Sequence, residues 1–544
     1  MDAVLRLPPT PESTRAALVE WRARVGRDWL ADDPHFVSLV PDFATLRDFA
    51  ARCASEVDEL ASNTNRDAHL PRLQRYDRDG RRTEGVVFHP DHHRIGAIVW
   101  DAEVLGRYRS PGQELQTLSL LYLLAQNGEG GWCCPLACTA GMIKVCQRAE
   151  DLPEDWLRGL LSPVYAEMLH ASQFLTEIQG GSDVGANVLS AVPAADAPGW
   201  WQLTGEKWFC SVIDARLFLV TARPVGGAAG TAGLGAFVVP RVLPGLDLLD
   251  PRSTPNRYTV RRLKWKLGTR SMASGEVDFD GAYAWPVADF QRTVETVLNT
   301  SRLYNAVCAS GMLQRAWREA DAWARTRVAF GTPILAFPSV ARTLARLRCE
   351  AWASRSLTFD LAALADRIAL GSTDPAEPSA WRMLVNLNKI WTALTCPAGV
   401  RDAIEILGGN GAIEEFSVLP RLLRDSLVIE AWEGGHGVLC AQLLRDAKKG
   451  LHRPMFAYLE GRVGVGRSAM GELAALWERT LARKDVAIVW RDLVEQSRPV
   501  VQGALLRAQG APEAIVSHFV ALHDRALNPL NDPALEERIR QVVG

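Results

Sequence analysis

The chain has 544 residues, enough for several units with cores of their own, and 48% hydrophobic against 23% charged residues is a globular balance. Its 61 basic and 63 acidic side chains nearly cancel, so no global field selects nucleic acid or an anionic membrane surface. No apolar run approaches the length of a membrane span, and ten cysteines scattered through apolar sequence suit a reducing cytoplasm better than a disulfide framework.

In chain order, the start MDAVLRLPPTPESTR has an acid at position 2 and two adjacent prolines, with neither a basic start nor an apolar run, and does not read as a signal peptide. Residues 1–172 read mainly as helices, because apolar steps recur at helical spacing between Pro and Gly breaks. From 173 to 290 the texture changes to short alternating runs such as WWQLTGEKWF and LGAFVVPRV between Gly/Pro/Asp clusters, which predicts strands. Long amphipathic patterns return over 291–450, with a break at PAEPSA, and continue over an additional helical region, 451–544. The expected fold class is therefore α+β, mainly α: a helical domain, a β-domain, a four-helix-type bundle and extra C-terminal helices.

Cys133, Cys134 and Cys138 cluster in GGWCCPLAC, but no second ligand pair follows, so no metal site is expected and buried core thiols are. GRVGVGRSAMG superficially suggests a phosphate loop, yet Ala469 stands where the dinucleotide fingerprint needs glycine, and the segment reads as a linker or helix start.

Four segments carry chemistry. TEIQGGSD (176–183) pairs adjacent glycines, which let backbone approach a flat ring closely, with the short hydroxyls of Thr176 and Ser182. Taken alone it is also a good turn. GEKWFCS (205–211) is a strand with alternating aromatics, an ordinary core pattern and a fair account of Trp208. ILGGNGAIEEF (406–416) offers glycine N–H groups at a helix-adjacent turn, able to cap a diphosphate and equally a helix C-cap. RDSLVIEAWEGGHG (424–437) places Glu433 after an amphipathic helix.

In this order and rough spacing the segments resemble the acyl-CoA dehydrogenase family of flavoproteins. LQRYDRDGRRTEGVVFHPDHH (73–93), WEGGHG and the surplus C-terminal helices resemble its AidB-like, alkylation-response branch. The resemblance implies an FAD-dependent oxidoreductase that takes the α-proton and β-hydride from an acyl thioester. It assigns Glu433 as base, Thr176 to the flavin ring, Gly181 and Ser182 to cofactor or substrate, and Phe209 and Ser211 to the flavin's reactive edge. Trp432 and Gly434 flank the base as cofactor contacts, and Arg302, on a predicted helix, falls to substrate binding. Arg327, in RTRVAFGTPI on another predicted helix, would hold the diphosphate of an FAD bound mainly by a neighbouring subunit, joined by Gly408, Gly409, Asn410 and Gly411; arginine's planar fork suits phosphate. A shared cofactor implies a homodimer or homotetramer, with a flavoprotein or oxygen as electron acceptor. Some family members place the base just before the helical arginine, but that position is Ser301 here. Gly435 replaces the usual hydroxyl residue after EG, removing a cofactor contact.

Two other readings are set beside this one. In an alkylation-response protein the tail would bind DNA, but residues 451–544 hold 12 basic and 11 acidic side chains, a poor phosphate-binding footprint. A tailoring flavin oxidase or monooxygenase would act on a thioester held by an acyl carrier protein. Residues 252–270, with seven basic side chains, no acid, and Tyr258 and Trp265 interleaved, would suit an acidic carrier or nucleic acid. LKWKLGTR within it matches a family β-domain motif, which favours a structural or interface role.

Overall fold

The computed structural model describes residues 12–149, 151–464, 467–524 and 529–544, so residues 1–11 of the opening segment and Val465 and Gly466 of GRVGVG lie outside the described residues. The first part comprises α1 (Glu12–Val25), α2 (Pro34–Leu39), α3 (Ala44–Arg52), α4 (Asp58–Thr64), the strands β1 (Arg72–Tyr76) and β2 (Arg82–Val87), and then α5 (Pro90–Asp101), α6 (Glu114–Ala125), α7 (Gly130–Cys146) and α8 (Glu154–Leu160). The β1–β2 hairpin departs from the helical reading of this part. Its signal is an Asp-Gly turn: Asp77 Oδ1 accepts from the backbone of Asp79 and Arg81, and Gly80 takes φ 77°.

The hairpin is stitched to the sheet that follows. Arg75 and Arg82 donate to carbonyls of Val260 and Tyr258, and buried Glu84 accepts from the Val260 N–H. That sheet contains β3 (Ala171–Phe174), β4 (Ser190–Pro193), β5 (Trp201–Ser211), β6 (Leu217–Pro224), β7 (Gly235–Pro240), β8 (Tyr258–Leu263) and β9 (Ser274–Val287). β6, β7, β9, β5 and β4 pair in a closed circuit, with β3 added parallel to β6 and β8 antiparallel to β9. Leu203, Phe218, Val220, Phe237, Val239 and Phe279 fill the interior, the inward half of each alternating pattern.

Next come α9 (Phe290–Thr326), the short strands β10 (Val328–Ala329) and β11 (Thr332–Pro333), α10 (Pro338–Ala369), α11 (Glu377–Leu407), α12 (Leu419–Ala431) and α13 (His436–Lys448). α9 is 37 residues long, about 55 Å at 1.5 Å per residue, and α6, α7, α10 and α11 all pack on it, so it is buried almost all round. The C-terminal helices are α14 (His452–Val463), α15 (Arg467–Leu481), α16 (Val486–Ala508), α17 (Glu513–His523) and α18 (Leu535–Val543). They share the core of the bundle: Trp477 and Trp490 pack in the same continuous apolar cluster as Trp391, whose indole donates to Val494 O at 3.0 Å. Polar contacts reinforce this: Arg462 reaches the buried Asp360 from the surface, Arg498 pairs with Glu350, and His523 Nε2 lies 2.9 Å from Glu350 Oε1.

Candidate active site

A cavity of about 1220 Å³ opens where β5 and the loop after β3 face α7, α9 and the turn between α12 and α13. It gathers Thr176, Gly181, Ser182, Phe209, Ser211, Arg302, Trp432, Glu433 and Gly434. Arg327, Gly408, Gly409 and Asn410 lie outside its walls. Arg327 also departs from the helical reading, since it is the extended C-cap residue just past α9, exposed at the start of the β10–β11 hairpin.

The loop and strand motifs are joined by charges that sequence reading left unassigned. Lys207 of GEKWFCS, 0% exposed, donates its Nζ to Glu177 of TEIQGGSD at 2.9 Å, to Leu175 O and to Thr221 Oγ1. Glu177 also accepts from the N–H groups of Val188 and Leu189, so every atom of this buried pair is spent on holding two segments together. The Trp208 N–H donates to Thr176 O at 2.9 Å. At Gly181 an added Cβ would stand 2.6 Å from Thr176 Oγ1, which is why the backbone can lie against that hydroxyl only as glycine.

Further along β5, Ser211 Oγ lies 3.4 Å from Ser274 Oγ of β9, and Phe209 presents a half-buried ring to the cavity. Trp208 is not core. It is half-buried with the Lys264 ammonium 3.7 Å from its ring centroid, while Lys264 pairs with Glu276 at 2.9 Å. Glu276 is a second carboxyl on the cavity wall, but Lys264 and Arg262 hold it below the usual carboxylate range against the opposing effect of burial.

Glu433 is set differently. α12 ends at Ala431, Trp432 turns extended, and Glu433 takes φ 55° before Gly434 at φ 101°. A left-handed non-glycine residue costs about 1–2 kcal/mol, so neighbouring groups must hold it. Arg302 Nε donates to Glu433 O at 3.1 Å, Asn305 Nδ2 to Ile429 O at 2.9 Å, and Lys389 Nζ to Glu430 O at 2.7 Å and Gly434 O at 3.1 Å. Burial pushes the Glu433 carboxyl up to about 7, with the Arg302 and Lys389 cations opposing it. Arg302, expected to bind substrate, is thus a cavity-wall residue whose Nε holds the main chain of the Glu433 turn, while its Nη1 bonds Asn299 Oδ1 at 3.1 Å.

Ser301 lines the cavity without a carboxylate and receives a long 3.4 Å contact from Gln173 Nε2. Gly435 is the N-cap of α13 and supplies no side-chain cap, so the missing hydroxyl leaves open space where an added Cβ would meet nothing within 4 Å. Cys133, Cys134 and Cys138 are buried thiols on α7, and they line the cavity together with Cys308. All ten cysteines are free, and among the described residues no cluster of three His, Cys, Asp or Glu could hold a metal. The basic run 252–270 has contacts within the chain although Arg252, Arg257, Arg261 and Arg262 stay exposed: Arg252 meets Asp250, Arg261 meets Glu206 and Asp278, Arg262 and Lys264 meet Glu276, Arg270 meets Asp67, Arg257 lies over Tyr283, and Lys266 donates to Thr269 and Met272 carbonyls.

Three stretches match named domains: residues 26–167 the adaptive response protein AidB N-terminal domain, 172–282 the acyl-CoA dehydrogenase middle domain, and 290–448 the acyl-CoA dehydrogenase C-terminal domain. Escherichia coli (strain K12) AidB is 32% identical over 459 residues, covering 80% of this chain and 77% of the relative. The chain belongs to the acyl-CoA dehydrogenase family. Within that family, Caenorhabditis elegans acyl-CoA dehydrogenase family member 11 is 29% identical over 423 residues, 74% of this chain and 66% of its own. The crystal structure of C. elegans ACDH-11 in complex with C11-CoA superposes with a TM-score of 0.81 at 24% identity, over 96% of this chain and 94% of that one. Bd2924 in its apo form gives 0.77 at 24% identity, over 92% and 98%. These likenesses show that the acyl-CoA dehydrogenase fold extends through the C-terminal helices, and the family makes the chain an oxidoreductase. Among the described residues, no helix is long and apolar enough to cross a membrane.

Proposed function

We propose that the chain removes the α-proton and β-hydride of an acyl thioester, with Glu433 as base and FAD as cofactor. The observation that carries this reading is a carboxyl that burial tunes to about 7, on a turn gripped by three side chains and facing a large cavity. A base working near neutral pH needs such a value, because it must be ionised yet still bind a proton.

The wall residues fit a flavin: the Thr176 and Ser211 hydroxyls can bond ring heteroatoms, the Phe209 and Trp432 rings can pack on a planar system, and Gly181 keeps the loop low enough for close approach. FAD, when bound, supplies the acceptor for the hydride leaving Cβ. Glu433 takes the proton from Cα, and Arg302 holds the main chain of that turn. Ser182, at the cavity edge, would meet the cofactor or the bound thioester. Arg327, Gly408, Gly409 and Asn410 do not reach this cavity, and their reading as diphosphate ligands for the FAD of a second copy requires a homodimer or homotetramer.

CoA thioesters are the favoured substrates, a reading supported by the C11-CoA bound to the C. elegans relative. The electron acceptor is a flavoprotein or oxygen. Neither the carrier-protein nor the DNA reading gains support from the basic run, whose cations are engaged within the chain. The test is anaerobic titration of the flavin-loaded protein with a panel of acyl-CoA and carrier-bound thioesters. Bleaching of the flavin by an acyl-CoA supports the reading, and a flavin that no thioester reduces overturns it.

A further inference from the structure

No motif singles out Lys389, yet it occupies the underside of the turn that carries Glu433. It lies within α11, 0% exposed, in the apolar stretch NLNKIWTAL. Its two main-chain bonds, to Glu430 O and Gly434 O, straddle Glu433, bridging the last turn of α12 and the residue after the left-handed step. Among the described residues no carboxylate lies within ion-pair distance of its Nζ. A buried ammonium is costly to keep, and packing alone would be served better by an apolar side chain of the same length. What the ammonium does here is bond one carbonyl of the last turn of α12, Glu430 O, and one of the loop beyond it, Gly434 O, and so fix the distance between them. Arg302 and Asn305 from α9 hold two neighbouring carbonyls, so α9 and α11 grip the turn from two sides.

We propose that Lys389 is a positioning residue for the base: its ammonium clamps the turn so that the Glu433 carboxylate faces the cavity. The inference rests on the assignment of Glu433 as base. The groups facing this pair are Arg302 from α9, with Glu295, Arg382 and Asp446 behind it; Glu430 from α12; His436 from α13, 3.3 Å from Glu430, with Arg491 beyond; and Cys138 from α7. Of these, Arg302 and Lys389 are the cations that hold the Glu433 carboxyl down. Burial lowers Lys389 itself to about 8, so its charge is present below that pH and lost above it. On this proposal the rate should show an acid limb as Glu433 ionises and an alkaline limb as the Lys389 charge is lost.

The test is single-turnover, anaerobic reduction of the flavin-loaded enzyme by the fastest of a panel of straight-chain acyl-CoA thioesters, followed across both limbs. Lys389→Met is expected to slow flavin reduction at least about tenfold, with thioester affinity changed less than about threefold, and to move the acid limb up by about one pH unit. Lys389→Arg keeps a permanent charge, so the acid limb stays and the alkaline limb disappears. An independent readout is the infrared titration of the carboxyl C=O stretch that is lost in Glu433→Gln; it should move up in Lys389→Met by the same amount as the acid limb. A Met variant with its rate within about twofold of wild type and its carboxyl titration unmoved overturns the proposal. If Lys389→Met does not fold, an unaltered alkaline limb in Lys389→Arg overturns it equally. Should Glu433→Gln reduce its flavin at full rate, the base assignment itself fails, whereas the infrared titration still reports whether Lys389 acts on the carboxyl.

Discussion

The turns at Glu433 and at Phe330 both place a non-glycine residue at positive φ, 55° and 51°, next to a glycine that continues the left-handed path. Around Glu433, Arg302, Asn305 and Lys389 bond the carbonyls of Ile429, Glu430, Glu433 and Gly434 from within the chain. Around Phe330 the chain is held by its own hairpin pairing, Val328 with Pro333 and Ala329 with Thr332, while the ring is 98% exposed and Arg327 at the base of the hairpin is exposed and makes no ion pair among the described residues. Strain held from inside is a feature of a finished site. Strain left facing outward belongs to a surface that something else completes, and on the proposed reading that is the FAD of a second copy.

The largest effect should come from breaking the finished side. Glu433→Gln keeps size and hydrogen bonding but cannot take a proton, so flavin reduction by a cognate acyl-CoA should slow by at least about a hundredfold while folding and FAD content persist. Single-turnover flavin bleaching separates this from product release. Unchanged bleaching would remove Glu433 from the mechanism.

Breaking the outward side should act on assembly instead. If Arg327 holds the diphosphate as proposed, Arg327→Ala removes a charge-assisted contact worth about 1.5–3 kcal/mol, so FAD retention should weaken roughly ten- to a hundredfold, and the oligomer should loosen with it. Flavin-to-protein ratio and sedimentation velocity measure the two together. A variant that keeps full FAD as a monomer would show that the hairpin serves neither.

A smaller change should separate ring contact from phosphate contact. Gly181→Ala would drive a Cβ to 2.6 Å from Thr176 Oγ1, with Thr176 Cβ and Cγ2 at 3.5 Å, so Thr176 must change rotamer or the loop must shift, and FAD retention should fall by several-fold with the oligomer intact. An oligomer that falls apart in Gly181→Ala would mean that the loop, too, faces the partner.

How far these features could be read beforehand depended on the kind of signal. The order of helices, strands and helices was legible because periods of 3.6 and 2 recur over many residues, and the motifs around Thr176, Phe209 and Glu433 do converge on one cavity. The β1–β2 hairpin was misread as helix because its two strands are short and charged, and the Asp-Gly turn at Asp79 and Gly80 was its one clear mark. Trp208 looked like core since alternation alone cannot tell which side of β5 meets a lysine. Lys389 and Asn305 were overlooked because side chains that hold backbone carbonyls need no fixed sequence spacing from the turn they serve. A lone lysine on the apolar stretch NLNKIWTAL was the available hint. The surplus helices were legible as helices, but their sharing of a core with the bundle through Trp391, Trp477 and Trp490 is a tertiary fact.

The smallest expected effect concerns stability, and it tests the tuning of the base without any substrate. The Glu433 carboxyl is raised from an ordinary 4.5 to about 7 in the folded chain. In the unfolded chain it ionises at the ordinary value, so between these limits the folded state holds a proton that the unfolded state has released. Stability from the neutral carboxyl is complete below about 4.5 and is lost as pH rises through about 7. Glu433→Gln is permanently neutral and escapes that loss. The Gln variant should therefore melt at the same temperature as wild type in acid and a few degrees higher above neutrality, the difference opening across that window. Paired thermal melts over the same pH range measure it. A Gln variant that is equally stable at all pH values would mean that the carboxyl is not raised, and the tuning of Glu433 by burial would have to be abandoned even if its role as base survived.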